Sequence, residues 1–161
     1  MRFVMGGPAM ALALFATTAA WAADKKGEAF PPVPDAEAII QQCNNISEEL
    51  RATPNTSAIN AGHGLRTRCL IDNIQENLAI LTGEDHIDIG SGGKRIRQTL
   101  PAFFEALTKT LDDFYSEVHY GPKSCSPRCG SMASNLVLSD IVNIYEEMLR
   151  DVLASRRSRR S

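Results

Sequence analysis

Between Asp35 and Val152 apolar residues recur at intervals of three and four in separate runs, the period of helices that each bury one face. The first run is Ala36, Ile39, Ile40, Cys43, Ile46 and Leu50, with Asp35 placed to cap it, and it predicts a helix ending near Ala52. "TPNTS", Thr53 to Ser57, then supplies a turn, with Pro54 as breaker and Thr56 or Ser57 as the next cap. A second run, Ile59, Leu65, Cys69, Ile74, Leu78 and Leu81, predicts a helix closing at Gly83, its first turns weakened by Gly62 and Gly64 on either side of His63. The third run is the strongest: Ile96, Leu100, Phe103, Phe104, Leu107, Leu111, Phe114, Tyr115 and Val118. Pro101 inside it either kinks the helix or opens its continuous part, since proline suits a first turn. The last run passes through Leu136, Ile141, Val142, Tyr145, Met148, Leu149 and Val152.

Two longer stretches separate these runs. "HIDIGSGGKR", His86 to Arg95, reads as a glycine-rich loop, and "GPKSCSPRCGS", Gly121 to Ser131, as a second loop. With no convincing strand alternation and no internal repeat, the fold class expected is all-α: a small bundle of about four helices over residues 35–154.

The N-terminus changes the picture of where this bundle resides. Arg2, an apolar stretch from Ala9 to Ala16, and small residues ending Ala20-Trp21-Ala22 are the parts of a cleaved secretory signal peptide, assigned to residues 1–22. The apolar stretch is too short for a permanent membrane span. Residues 23–34, "ADKKGEAFPPVP", form a Pro-rich, flexible lead-in, because Pro31, Pro32 and Pro34 forbid helix. A periplasmic or secreted location follows as an expectation, and with it an oxidising compartment.

That location makes Cys43, Cys69, Cys125 and Cys129 candidates for disulfides. If the first two helices form an antiparallel hairpin turning near Thr56, Cys43 and Cys69 stand at equal distances from the turn, at similar heights on facing helices. This favours Cys43 with Cys69 and leaves Cys125 with Cys129, while the crossed pairings stay open. "SCSPRCGSM", Ser124 to Met132, has the cysteines of C-x-x-x-C with His119 upstream, but zinc sites show two such pairs and covalent haem needs a histidine where Gly130 stands. No cofactor is expected. The runner-up, from a different class, is a bundle holding haem through His63, His119 and Met132, or a metal.

Charge is distributed unevenly. Nineteen carboxylates face seventeen cations in the whole chain. Removing Arg2 and the tail arginines Arg156, Arg157, Arg159 and Arg160 leaves a body with about seven more negative than positive charges. The tail "SRRSRRS", residues 155–161, carries no apolar residue and is expected to be disordered, with enough charge for loose contact with anionic surfaces and too little, without aromatic residues, for nucleic acid.

Catalytic motifs are not evident. "GSGGKR", Gly90 to Arg95, looks like an anion-binding loop before a helix, yet Asp88 and Arg95 break the P-loop pattern. Glu48/Glu49, Glu84/Asp85/Asp88, Asp112/Asp113 and Glu146/Glu147 read as solvated faces, since adjacent acids on a helix point apart. No nucleophile stands in a recognisable elbow. An enzyme is therefore not expected.

An early cysteine (Cys43), a second in "RTRCL" (Cys69), a later cysteine leading into Gly130-Ser131-Met132, and a last helix ending "YEEMLRDVL" resemble the LprI-like lysozyme-inhibitor family. The resemblance spans Cys43 to Leu153. It implies an exported helical module with two disulfides that binds or blocks a cell-wall-cleaving enzyme, and an acidic body would suit a cationic lysozyme. No inhibitory residue carries over. The function expected is an exported helical binding module with a protein partner in the cell envelope, or an accessory subunit of an envelope secretion machine.

Overall fold

The computed structural model describes residues 31–91, 94–120 and 132–159. Among these residues it contains helices α1 (Ala36–Ala52), α2 (Thr56–Thr82), α3 (Leu100–Tyr120) and α4 (Met132–Ser158). A two-stranded antiparallel hairpin, β1 (His86–Ser91) and β2 (Lys94–Thr99), lies between α2 and α3. The chain is a small helical bundle with a disulfide and one hairpin. No helix among the described residues is long and apolar enough to cross a membrane. The expected signal peptide and the lead-in up to residue 30 lie outside the described residues, as do Cys125, Cys129 and Arg160.

Local chemistry sets the helix ends. The Asp35 carboxylate accepts from the Glu37 amide at 2.8 Å and opens α1. Asn55, rather than Thr56 or Ser57, caps α2 by accepting from the Ser57 amide. Gly83 ends α2 with φ of 72°, a left-handed conformation that only glycine adopts without cost. Helix α3 begins at Leu100 with Pro101 in its first turn, where a missing N–H is harmless. The Thr99 hydroxyl accepts from the Ala102 amide at 3.4 Å, giving that turn a side-chain cap.

The segment expected to be a loop over His86–Arg95 is instead the hairpin. Its register sets Ile89 against Ile96, Asp88 against Arg97, and Ser91 against Lys94. Ile87, Ile89 and Ile96 share one face, and Ile87 packs on the core. Isoleucine alternation over so few residues hid the strands, although Gly92-Gly93 between them is a recognised hairpin signal. Lys94 and Arg95 therefore lie in a strand and not beside a helix start, which removes the geometry an anion-binding loop would need.

Helices α2 and α4 run parallel and form the centre. Asn60 donates to Ser134, Arg66 to Glu146 and Asn77 accepts from Arg156, so the pairs climb both helices together. α1 lies antiparallel on α2 and α3 antiparallel on α4. The core contains Ile39, Ile40, Leu70, Ile74, Phe104, Ile141, Tyr145, Leu149 and Leu153. Cys43 and Cys69 form a disulfide across α1 and α2, as the hairpin symmetry predicts. Gly62 makes the close approach possible, since a Cβ there would stand 2.7 Å from Arg51 Cγ and 3.2 Å from the Ser47 carbonyl oxygen.

The tail is not disordered over its described residues: α4 continues to Ser158. The cause is position 156, which follows Leu149 and Leu153 at intervals of four and three on the core-facing stripe, where an arginine stem packs and its head reaches a polar rim. Arg156 is 5 % exposed and donates to Asn77 Oδ1 and, at 3.1 Å, to the Pro31 carbonyl. Arg157 reaches the Pro34 carbonyl at 3.3 Å and Arg159 the Leu81 carbonyl at 2.7 Å. The end of the Pro-rich lead-in is thus fastened to the bundle.

Two stability measurements check this account. Replacing Arg156 by leucine leaves Asn77 and a backbone carbonyl without their donor and should cost about 2–3 kcal/mol in chemical denaturation, whereas Arg159→Ala should cost under ~0.5 kcal/mol. Replacing both Cys43 and Cys69 by alanine opens a crosslink of sequence separation 26. The chain-entropy account gives that crosslink about 3.5 kcal/mol, and the same scan should report the loss.

Candidate functional site

Most of the described arginines of this fold bond to its own side chains and carbonyls. Arg51 Nε donates to Ser47 Oγ at 3.1 Å, and its terminal nitrogen to the Asn44 carbonyl at 3.3 Å. Arg66 pairs with Glu146, a carboxylate with only 12 % of its side chain exposed. Glu146 stands 3.8 Å from Arg150, which also meets Glu37 at 2.7 Å and Glu147 at 2.5 Å. This lattice ties α1, α2 and α4 together, and the hydrogen bond from Arg150 holds the Glu37 carboxyl below its usual range. Arg97 serves the hairpin through Glu84 at 3.2 Å. With Arg156, Arg157 and Arg159 bonded to the ends of α2 and the lead-in, seven arginines are engaged in holding the fold.

Carboxylates are left facing water. Glu48, Glu49, Asp112, Asp113 and Asp88 are exposed as the sequence suggests, and no ion pair among the described residues engages Glu48, Glu49, Asp112, Asp113 or Glu117. Glu146 departs from its expected place on a solvated face, because α2 presents Arg66 to it. A surface left with unpaired acids attracts cationic partners and steers their approach.

Several residues placed on the apolar stripes are not buried. Ile46 and Leu65 are exposed beside the disulfide, Leu136 near the start of α4, and Phe114 and Val118 on the last turns of α3. α3 meets α4 through one flank of its stripe. Phe104 is buried there, 6.1 Å from the ring of Tyr145. Thr108 and Tyr145 share a hydrogen bond at 2.6 Å. His119 Nε2 meets Asp140 Oδ2 at 2.6 Å, and its ring stacks on Tyr115. With these contacts on the covered flank, Phe114 and Val118 are left exposed. A signal for this was present in the sequence, because Thr108, Tyr115 and His119 follow Phe104 and Leu111 along the helix as a second stripe.

The candidate ligands for haem or metal fall as follows. His119 is committed to Asp140, Met132 opens α4, and His63 lies half-buried on α2. Among the described residues no group of three His, Cys, Asp or Glu side chains could hold a metal ion. His63 has a different character: its Nδ1 is buried without a hydrogen-bond partner. Burial first, then the charges of Arg51 and Arg66, hold its imidazole below the ordinary histidine range. Asn60 Oδ1 and Thr67 Oγ1, on the same side of α2, are likewise buried without partners. The three atoms form an unsatisfied polar stretch along one side of α2.

Searches with the chain find no matching family model, no matching curated protein and no matching solved structure.

The sign of the His63 effect is fixed. Its folded pKa lies below the unfolded value of about 6.5, so the unfolded chain takes up the proton first as pH falls. Stability from neutral His63 is present above that value and is lost as pH drops through the folded pKa. Thermal midpoints should fall between pH 7 and pH 5, and His63→Gln should lessen that fall; an unchanged slope would remove His63 from the account.

Proposed function

We propose that this chain is an exported, disulfide-stapled helical module that binds a protein partner of the cell envelope, with a cationic cell-wall-cleaving enzyme as the favoured partner. The observation that carries the reading is the division of charge: arginines are engaged within the fold, while Glu48, Glu49, Asp112, Asp113 and Glu117 make no ion pair among the described residues. A chain that engages most of its described arginines in its own architecture and carries more carboxylates than cations presents a net acidic exterior, and such an exterior favours fast encounter with basic proteins. The Cys43–Cys69 bond supports the exported part of the reading, since disulfides persist in oxidising compartments. The resemblance of its cysteine spacing to the LprI-like lysozyme inhibitors supports the choice of partner. The module acts by occupying a surface on that partner and turns over no substrate of its own.

Lysozyme is the direct probe. Clearing of a cell-wall suspension should slow as the protein is added, reach its limit near equimolar ratio, and recover as salt is raised from about 50 to 300 mM through screening of the charge attraction. Clearing at an undiminished rate in roughly tenfold molar excess, with no complex on size-exclusion chromatography at low salt, would rule out this partner.

A further inference from the structure

The apolar stripe of α3 is wider than the surface α4 offers it. Phe104, Thr108, Tyr115 and His119 are occupied against Tyr145 and Asp140, or against one another. Phe114 and Val118, one turn apart, are each 58 % exposed. Phe114 is not a loose surface ring. It stands edge-on to Tyr115 at 5.2 Å, Tyr115 stacks on His119 at 6.3 Å, and His119 is tied to Asp140 of α4. An exposed aromatic fixed by such a chain has little freedom to lose on contact, which is the character of an interface anchor.

Acids run beside it. Asp113 and Glu117 each precede one of the two apolar residues and, four apart, lie on one side of the helix, where like charges oppose helix formation. Lys109, a turn before Asp113, makes no ion pair with it. An apolar pair and an acidic pair therefore run side by side along the end of α3. Each is unfavourable alone and would be relieved by one partner carrying the complementary pair.

We propose that Phe114 and Val118, with Asp113 and Glu117 alongside, form the docking surface of this module for a cationic amphipathic helix of a protein partner. The partner's aliphatic residues cover Phe114 and Val118, and its lysines or arginines, a turn apart, meet Asp113 and Glu117. The inference rests on the partner-binding reading above and adds the surface and the chemistry of what it takes. His119 is a positioning residue, holding Tyr115 and through it Phe114.

The test uses a synthetic 18-residue amphipathic Leu/Lys peptide carrying one tryptophan, because the sequence has a single tryptophan, Trp21, inside the expected signal peptide. Binding is read from peptide fluorescence, with a Leu/Glu peptide of the same pattern as control. The Leu/Lys peptide should bind and the Leu/Glu peptide should not. Phe114→Ser with Val118→Ser, and separately Asp113→Lys with Glu117→Lys, should each weaken binding about tenfold or more, the second also flattening its salt dependence. Asp72→Lys with Glu76→Lys, an exposed acidic pair of the same spacing on α2, should change it less than about twofold, which separates a defined surface from general acidity. Circular dichroism and thermal midpoints within a few degrees of the parent establish that the variants fold, and a variant that fails this check is replaced by Phe114→Gln alone.

Equal binding of the Leu/Glu peptide, equal loss in the α2 variant, or no loss in either α3 variant would overturn the proposal. So would a dimer of the protein that Phe114→Ser dissolves while the peptide leaves the parent untouched, since the face would then belong to a second copy. The two readings fail separately. Peptide binding at α3 without lysozyme inhibition discards the partner and keeps the surface, and inhibition indifferent to the α3 variants does the reverse.

Discussion

The parallel packing of α2 on α4 governs the rest of the molecule. Two parallel helices cannot be joined by a short turn, so the chain must travel back along the bundle between them. α3 is that return, and its 21 residues reach about 31 Å, against about 40 Å for each 27-residue central helix. The hairpin makes the change of direction after α2, with the Leu100 amide donating to the Asp85 carbonyl at 2.9 Å to close its base. Because α4 already meets α2 through residues such as Glu146 and Arg156 and meets α1 through Arg150, it has limited surface left for α3. The exposure of Phe114 and Val118 thus follows from the central pair, and α1, which joins α2 from outside through Gly62 and the disulfide, does not reach round to cover them.

Much of this architecture was legible in the sequence. Asp35, Gly83 and Pro101 mark helix ends by local chemistry, which needs no knowledge of the rest of the chain. The Cys43–Cys69 pairing followed from a symmetry argument that holds for any antiparallel hairpin turning near Thr56. What escaped was whatever depends on rotation of one helix against another. A stripe of apolar residues shows that a helix has a buried side, but α3 has a stripe wider than its contact, and the covered flank is the one that carries Phe104 and Leu111 together with the Thr108–Tyr145 and His119–Asp140 bonds. The same holds for the tail: Arg156 belongs to the core stripe by spacing and to a disordered tail by composition, and spacing prevailed because Asn77 and the Pro31 carbonyl waited at the end of its stem.

The charge pattern has the same origin. A bundle this small has few buried positions, and its interhelical gaps are closed by long side chains whose ends reach carbonyls and carboxylates on the neighbouring element. Arginine serves that role better than glutamate, since its planar head presents several donors to the carbonyls left over at helix ends and loop segments. Arg51, Arg156, Arg157 and Arg159 all donate to backbone carbonyls. Carboxylates cannot do so, being acceptors, and they remain on the outside unless an arginine meets them.

Commitment of cations to architecture has a consequence for recognition. The acids of α1 stand on a helix crosslinked by the disulfide and by the Arg150–Glu37 pair, and those of α3 on a helix held to α4 by the Phe104–Tyr145 packing and the Thr108–Tyr145 and His119–Asp140 bonds. Such a surface loses little freedom on binding, so its attraction is not offset by a large ordering cost. The polar layer around His63 is the exception, where Asn60, His63 and Thr67 leave buried atoms without partners along one side of α2. These atoms lie toward the end of the bundle where α3 also ends and its apolar pair is exposed. The two ends of the bundle therefore differ: at one Arg156 seals α2 against α4, and at the other buried polar atoms go unpaired near the exposed apolar pair of α3.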